Sequence, residues 1–213
     1  TSLMKKTLAI IGSGHLGQQI AHYALSDNHY QNVVFFDDFS NETHVNGFPI
    51  LGNVNVVEQE FAKQSFDELI LGIGYKHLAI RKQLFERFSK VIPFGKIIHS
   101  SSWVDATANV GAGCVIYPSC CIDAHAIVKD NTVLNIACTI AHDTIVGKHC
   151  FLSPRVALAG FIKVEELCIL GINSTVIDNV SIVSNTQLGG GTVVIQNITQ
   201  EGLYVGSPHR FVR

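Results

Sequence analysis

Aliphatic residues recur every six positions through the second half of the chain. From Val104 to Val194, sixteen successive sixth positions carry Val, Ile or Leu without interruption. Four positions after each of them stands a second, mostly small residue, and five of the six cysteines occupy such places. This period is typical of the hexapeptide-repeat parallel β-helix, in which three hexads complete one triangular coil. The pattern therefore predicts a little over five coils, with the cysteines as compact core residues.

The first part of the chain has the alternating pattern of an α/β protein. Short apolar runs, suited to buried strands, alternate with segments of helical period. The predicted elements are strands at 7–11 and 33–37, a third strand within 66–74, and helices over 16–25 and 75–88, with an irregular Gly- and Asn-rich segment at 46–55. We therefore expect a small α/β, Rossmann-like half domain over residues 1–95. The β-helix is expected over residues 96–213, ending in a short C-terminal tail.

A glycine-rich turn joins the first predicted strand to the first predicted helix. Gly12, Gly14 and Gly17 fit the pattern G-x-G-x-x-G, and Asp37 and Asp38 follow the second predicted strand. Glycines for a tight turn and an acid for a ribose hydroxyl form the fingerprint of a dinucleotide-binding fold. About ninety residues make only half of such a fold, however, which suits a mononucleotide. An NAD-dependent oxidoreductase is therefore the weaker hypothesis, and no NAD is expected.

Composition narrows the class of protein further. The chain is 47% hydrophobic and 15% charged, with a net charge of −2, so it lacks the basic face that nucleic-acid binding needs. No apolar run approaches the roughly 18–20 residues of a membrane span, and no signal peptide is recognisable. The cysteines show no C-x-x-C spacing. We expect a cytoplasmic protein with reduced thiols and with neither a nucleic-acid nor a membrane partner.

One polar pair stands at a turn of the repeat. In LNIACTIAHDTIVG (134–147), His142 and Asp143 take the third and fourth positions of a hexad and are predicted to point outward. An imidazole can accept the proton of an attacking amine or hydroxyl near neutral pH, and a neighbouring carboxylate can fix its tautomer. A solvated turn without a catalytic role is the alternative. A zinc site built from His125, His142 and His149 is weaker still, because His142 and His149 fall on different hexad positions, and we expect no metal.

Several longer stretches, taken together, carry a family resemblance. They are FFDDF (35–39), LGIGYKHLAIRKQL (71–84), LNIACTIAHDTIVG (134–147), CILGINSTVIDNVSIVSNTQLGGGTVVIQN (168–197) and YVGSPHR (204–210). In this order, and over essentially the whole chain, they resemble the PglD- and NeuD-like family of nucleotide-sugar N-acetyltransferases. The resemblance implies a left-handed parallel β-helix, acetyl-CoA as co-substrate, and a homotrimer with active sites between subunits.

The same resemblance assigns roles to individual residues. It implies that His142 is the general base, with Asp143 as its acidic neighbour, and that the Gly160 N–H faces the thioester carbonyl as an oxyanion donor. Residues implied to bind acetyl-CoA are Asn135, Gly160, Ile172 and Gly190, and those implied to bind the nucleotide sugar are Ser13, Gly14, His15, Asp37 and Asp38. Two positions depart from the family's pattern. His15 stands one place before its family position, and Phe151 replaces a histidine that contacts the coenzyme.

We therefore predict an acetyl-CoA-dependent N-acetyltransferase that acts on a nucleotide-linked amino-dideoxy sugar for a surface glycan or glycoprotein. Family precedent places the amine at C4. Direct transfer is predicted, since no Cys or Ser stands at a recognisable spacing from His142 to form an acyl-enzyme. O-acetylation of a sialic acid and a non-catalytic, nucleotide-binding trimer scaffold remain as alternatives. The nucleotide (UDP, dTDP or GDP) and the sugar stay open.

Overall fold

The computed structural model describes residues 6–213 and divides the chain into two compact units. The division falls between Ile97 and Ile98. No helix among the described residues is long and apolar enough to cross a membrane.

A three-stranded parallel sheet forms the centre of the first unit. Its elements follow the chain as β1 (Thr7–Ile11), α1 (His15–Ser26), β2 (Asn32–Phe36), the hairpin of β3 (His44–Val45) and β4 (Phe48–Pro49), a 3-10 turn (Val54–Val56), α2 (Val57–Ala62), β5 (Glu68–Leu71), a second 3-10 turn (Tyr75–His77) and α3 (Leu78–Phe88). Strand β1 lies between β2 and β5, and both pairings are parallel. The three strands are almost wholly apolar and buried, as expected for a parallel sheet covered on both sides. The predicted α/β class is confirmed.

The segment predicted to be irregular holds more structure than its composition suggested. It contains the turn and second strand of the β3–β4 hairpin, and it is followed by α2, a helix of six residues. A helix this short offers too few turns for a hydrophobic period to be recognised. Its only buried residue is Val57.

The second unit is a parallel β-solenoid with three faces. Each face is a sheet of short rungs, most of them two residues long, and successive rungs up to Val194 pair in register at a spacing of eighteen residues. The first face contains Ile97–Ile98, Val115–Ile116, Val133–Leu134, Phe151–Leu152, Ile169–Leu170, Thr186–Leu188 and Gly202–Val205, with Arg210–Phe211 added antiparallel. The second face contains Trp103–Val104, Cys121–Ile122, Thr139–Ile140, Ala157–Leu158, Thr175–Val176 and Val193–Val194. The third face contains Asn109–Val110, Ile127–Val128, Ile145–Val146, Lys163–Val164 and Ser181–Ile182.

The solenoid has about six coils and so confirms the predicted parallel repeat, with two rungs more than the aliphatic count indicated. Ile98 fits the same six-residue period and adds a rung before Val104. The closing rung, Gly202–Val205, follows a break in the period and was not foreseen. The left-handed winding stays a prediction.

The inward positions form one continuous core. The aliphatic residue of almost every hexad is buried, and the cysteines at the small inward positions are at most 2% exposed. The Cys138 thiol donates to the Ser153 carbonyl (Sγ···O 3.2 Å), and burial raises the pKa of the Cys150 thiol. These thiols are packed in the core, so their interpretation as core residues is confirmed.

Each corner between two faces of the solenoid places one residue in the left-handed backbone region. From Gly113 to Gly191, every sixth residue has φ between +55° and +71°. Asn or Gly fills several of these positions, but Asp143 and Phe161 adopt the same conformation. The Phe161 N–H donates to the His142 carbonyl one coil earlier (3.2 Å). The ladder of such bonds holds even a bulky side chain in a conformation that L-residues rarely adopt.

Candidate active site

The turns that join the second face to the third face bring together residues eighteen positions apart. We call these turns the His142 corner. They stack two columns of side chains: Ala124, His142, Gly160 and Asp178 in one, and His125, Asp143, Phe161 and Asn179 in the other. The repeat spacing alone therefore sets His142 next to Gly160.

His142 is held by its sequence neighbour and by the next coil. Its Nδ1 lies 3.0 Å from Asp143 Oδ2, and its ring meets the Phe161 ring edge-on, with centroids 5.1 Å apart and planes at 85°. The His142 and Asp143 side chains are 49% and 38% exposed. The imidazole is thus oriented by a carboxylate while remaining open to a ligand.

Gly160 leaves the space that the His142 ring occupies. A Cβ added at Gly160 would stand 2.7 Å from His142 Cε1 and 2.8 Å from His142 Nε2, far inside van der Waals contact. No side chain larger than hydrogen therefore fits beneath the ring in this position. Gly160 is buried, and its N–H donates to no other residue that the structure describes.

This arrangement has the parts that acyl transfer to an amine requires. With Nδ1 held by Asp143, Nε2 is the nitrogen left to accept a proton. The Gly160 N–H, which donates to no residue within 6–213, could donate to a developing oxyanion next to the ring. The two groups suit a base and an electrostatic stabiliser on one reacting centre.

Of the four predicted coenzyme residues, Gly160 lies at the His142 corner, whereas Asn135, Ile172 and Gly190 lie at a different corner, where the first face turns into the second. Ile172 is half exposed there, and Gly190 stacks above it, since a Cβ on Gly190 would stand 3.1 Å from Ile172 Cγ2. Asn135 shares this corner and accepts the Ile136 N–H through Oδ1 (2.8 Å). One chain therefore does not bring these residues together with His142, because the width of the second face separates the two corners. Phe151 lies on the first face and is only 6% exposed.

The first unit has a cavity of about 440 Å³ at the carboxyl ends of its parallel strands. The lining residues end β1, follow β1, β2 and β5, or belong to the second 3-10 turn and α3: Ile11, Gly12, Asp37, Asp38, Phe39, Ile73, His77, Ile80 and Leu84. This edge is where ligands bind in open α/β sheets.

The two neighbouring acids, Asp37 and Asp38, differ in the hydrogen bonds that they already make. Asp37 Oδ2 accepts from the Ser13 N–H and Oγ–H (2.7 Å each), and Oδ1 accepts from the N–H groups of Phe39 (2.8 Å) and Ser40 (3.0 Å). Partial burial alone would raise the pKa of Asp37, but these four bonds outweigh it and lower the pKa. A carboxylate has about four acceptor positions, so Asp37 is fully used within the protein.

Asp38 uses less of its hydrogen-bonding capacity than Asp37 does. It is exposed, and the only hydrogen bond that its side chain makes to described residues is from the Val54 N–H to Oδ1 (2.7 Å). Oδ2 therefore remains open toward the cavity that the residue lines. The sequence alone could not distinguish the two acids, because the difference arises from the loops around them.

The other residues predicted for the nucleotide sugar lie at the start of α1. Ser13 is committed to Asp37, whereas Gly14 caps the helix and has open space where a Cβ would stand. His15 is exposed on the first helical turn, and none of these three is among the residues that line the cavity. The first turn of α1 carries no acidic residue, so its N-terminus is free to attract an anion.

Sequence reasoning missed two residues of the stretch LGIGYKHLAIRKQL. His77 lines the cavity. Arg81 is fully buried on α3, and its Nη1 donates to the carbonyls of Leu71 (2.9 Å) and Ile73 (2.8 Å), which fixes the loop after β5. Only the fold could reveal this, because an arginine in a helical pattern is usually solvent-exposed.

The histidines weighed for zinc do not converge. His149 is buried at a third corner, with Nδ1 2.9 Å from Asn131 Nδ2, whereas His125 and His142 lie at the His142 corner. No group of three or more His, Cys, Asp or Glu side chains within residues 6–213 is placed to hold a metal ion.

Comparisons with known proteins agree with this architecture. The sequence profile of the PglD N-terminal domain matches residues 7–88, while no curated protein matches the chain in sequence. The acetyltransferase domain of PglB from Neisseria gonorrhoeae FA1090 is similar in structure, with a TM-score of 0.90 and 26% identity over 98% of this chain and 100% of that one. PerB from Caulobacter crescentus, solved with CoA and GDP-perosamine, has a TM-score of 0.89 and 25% identity over the whole of both chains.

A third structure, WeeI from Acinetobacter baumannii AYE, shares the fold at a TM-score of 0.84 and 18% identity, over 97% of this chain and 99% of that one. The likeness to these structures thus covers both units of the chain. The first unit therefore carries a domain of the PglD N-terminal type, and the chain as a whole is similar in structure to the acetyltransferase domain of PglB and to PerB.

Proposed function

We propose that the protein is an acetyl-CoA-dependent N-acetyltransferase that acetylates a nucleotide-linked amino sugar. The observation that carries this proposal is the His142 corner, where a carboxylate-oriented imidazole lies against a buried glycine with an unpaired N–H. The similar proteins support the same chemistry. The PglB domain was solved with acetyl coenzyme A, and the perosamine N-acetyltransferase was also solved with one histidine replaced by asparagine or by alanine.

The mechanism that fits the geometry is direct transfer. The sugar amine attacks the thioester carbonyl while His142 Nε2 accepts a proton from the amine nitrogen. The Gly160 N–H donates to the oxyanion of the tetrahedral intermediate. The C–S bond then breaks and the amide forms, and the proton on His142 Nε2 passes to the sulfur, so that coenzyme A leaves as the thiol and the neutral imidazole is regenerated. Asp143 holds Nδ1 throughout and stabilises the imidazolium that forms.

Acetyl-CoA is proposed to bind along the corner that carries Asn135, Ile172 and Gly190. Within one chain, the second face separates this corner from His142. A complete site therefore needs this corner of one subunit beside the His142 corner of another. We therefore propose a homotrimer. The exposed isoleucines that directly follow rungs of the second face, Ile177 and Ile195, support a buried contact between subunits. Light scattering at assay concentration should give three times the mass of the chain, and a monomer would contradict this site.

The nucleotide is proposed to bind in the cavity of the first unit. The open oxygen of Asp38 would accept a hydrogen bond from the base or ribose, and the N-terminus of α1 at Gly14 would face the diphosphate. Asp37 would shape this site by holding Ser13 and the loop after β2. Acetylation at C4, a role in surface glycan synthesis and a cytoplasmic location complete the proposal.

A substrate panel tests the function directly. UDP-, dTDP- and GDP-linked amino sugars are each incubated with acetyl-CoA, and free thiol is measured. One or more amino sugars should give sugar-dependent thiol release. Absence of release with every amino sugar would refute the proposal and favour sialic acid O-acetylation or a scaffold.

Replacement of the base tests the mechanism. His142→Ala should lower kcat by about two to four orders of magnitude, the usual range for a general base. His125→Ala is the matched control, because His125 is an exposed histidine at the same corner, one coil earlier. A His142→Ala variant with nearly the wild-type rate would exclude His142 as the base.

A further inference from the structure

A large apolar side chain lies exposed beside the proposed base. Phe161 is 57% exposed although its ring centroid is only 5.1 Å from that of His142. Its backbone is fixed by the bond from its N–H to the His142 carbonyl. Part of the phenyl surface is thus held in place next to the reacting position and is not covered by the chain itself.

We propose that Phe161 selects the sugar by contacting the substituent on the ring carbon next to the amine-bearing carbon. A methyl group would pack against the phenyl ring, whereas a hydroxymethyl group would place its hydroxyl there. Phe161 would therefore favour 6-deoxy over 6-hydroxy sugars when the amine is at C4. This inference rests on the proposed function.

The distances put this substituent within reach of the ring. An amine that gives its proton to His142 Nε2 must lie about 2.6–3.2 Å from it. The substituent on the neighbouring carbon is three bonds from the amine nitrogen. The phenyl centroid of Phe161 lies 5.1 Å from the imidazole centroid, with the two ring planes at 85°. Asp143, on the coil before Phe161, has a carboxylate oxygen near this position, but that oxygen, Oδ2, is already bound to His142 Nδ1.

A hydroxyl placed against the phenyl ring would lose hydration without gaining a partner from it, which costs free energy. A methyl group in the same place would instead gain apolar contact. Pockets that discriminate by a methyl or a hydroxyl group on an apolar wall reach about 10- to 200-fold.

The test compares two substrates that differ only at C6. GDP-perosamine, or the UDP or dTDP sugar that the panel selects, is paired with its 6-hydroxy counterpart. Wild-type kcat/KM should favour the methyl sugar by about 10- to 200-fold. Phe161→Asn introduces a residue type that fills the same turn position at Asn173, Asn179 and Asn185. It should bring the ratio close to one, mainly by slowing the methyl sugar.

Two further variants complete the design. Leu167→Asn also replaces an apolar side chain with asparagine, at the same hexad position of another corner (φ +60°), and should leave the ratio unchanged. Phe161→Tyr keeps the ring and adds a hydroxyl, so it should raise the relative rate on the 6-hydroxy sugar. The Tyr variant tests the inference even if the Asn variant does not fold.

The possible results distinguish a failure of the inference about Phe161 from a failure of the proposed function. Equal wild-type kcat/KM on the two sugars would refute the role of Phe161 and leave the acetyltransferase intact. An equal loss on both sugars in Phe161→Asn would show that the ring positions His142 instead, and would also overturn the inference. No thiol release with either sugar in the wild type would refute the proposed function and the inference together.

Discussion

Adding one methyl group at Gly160 should disable the proposed base without unfolding the protein. In Gly160→Ala, the new Cβ would stand 2.7 Å from His142 Cε1, whereas two carbon atoms in contact prefer about 3.5–4.0 Å. The ring must therefore move by about 0.8 Å or more. Because the His142 side chain is 49% exposed, it can swing outward into solvent rather than strain the coil.

The size of the effect follows from that displacement. A misplacement of about 1 Å in a catalytic group can cost about 100-fold in rate, equivalent to about 2.7 kcal/mol of transition-state stabilisation. The free energy of unfolding should change by less than about 1 kcal/mol, since no buried contact is lost. The backbone N–H at position 160 is retained in alanine, so the loss of rate would report the base rather than the oxyanion donor.

The assay is a double-mutant cycle on kcat with His142→Ala. If the added methyl group acts by displacing the imidazole, Gly160→Ala should have almost no effect once the imidazole is gone. Thiol release gives the rates, and urea unfolding gives the stability of all four proteins. A further 100-fold loss in the double variant, or an unchanged rate in Gly160→Ala, would refute the reasoning.

Three other substitutions test the carboxylates of the two proposed sites: Asp143 at the His142 corner, and Asp37 and Asp38 at the cavity of the first unit. Asp143→Asn should lower kcat at least about 10-fold with little change in KM for acetyl-CoA, because the amide no longer stabilises the imidazolium; an unchanged kcat would remove Asp143 from the mechanism. Asp37→Asn should destabilise the protein by about 2 kcal/mol in urea at pH 7. Because folding lowers the pKa of Asp37, its stabilising effect is present above the ordinary value of 3.8 and is lost as the pH falls through the folded pKa. The deficit of Asp37→Asn should therefore shrink below pH 3.8, and a constant deficit would contradict this. Asp38→Asn should weaken nucleotide binding in calorimetry by about 10-fold and leave the urea midpoint unchanged, whereas an Asp38 variant that binds normally would exclude the contact.

The regular parts of the fold were accessible from the sequence because they repeat. A period of six with inward aliphatic residues can be satisfied by few structures, so Val104 to Val194 predicted the solenoid. Its ends were harder to predict. Ile98 is a single match before the array, and the rung at Gly202–Val205 follows a break in the period.

The residues of the two sites could be predicted from the sequence, but the contacts between those residues could not. Chain order placed His142 beside Asp143, but the close fit of the His142 ring against Gly160 depends on stacking between coils eighteen residues apart. The different roles of Asp37 and Asp38 depend on backbone N–H groups from several loops, which leave no mark in composition.

The stacking of the His142 corner limits how this chain can evolve in length. The distance between His142 and Gly160 is set by one coil of eighteen residues. An insertion of one or a few residues between them would rotate the imidazole away from the glycine. Gain or loss of a whole coil beyond this pair would leave them adjacent. Changes of length compatible with activity should therefore occur in steps of one coil, or in loops outside the repeat.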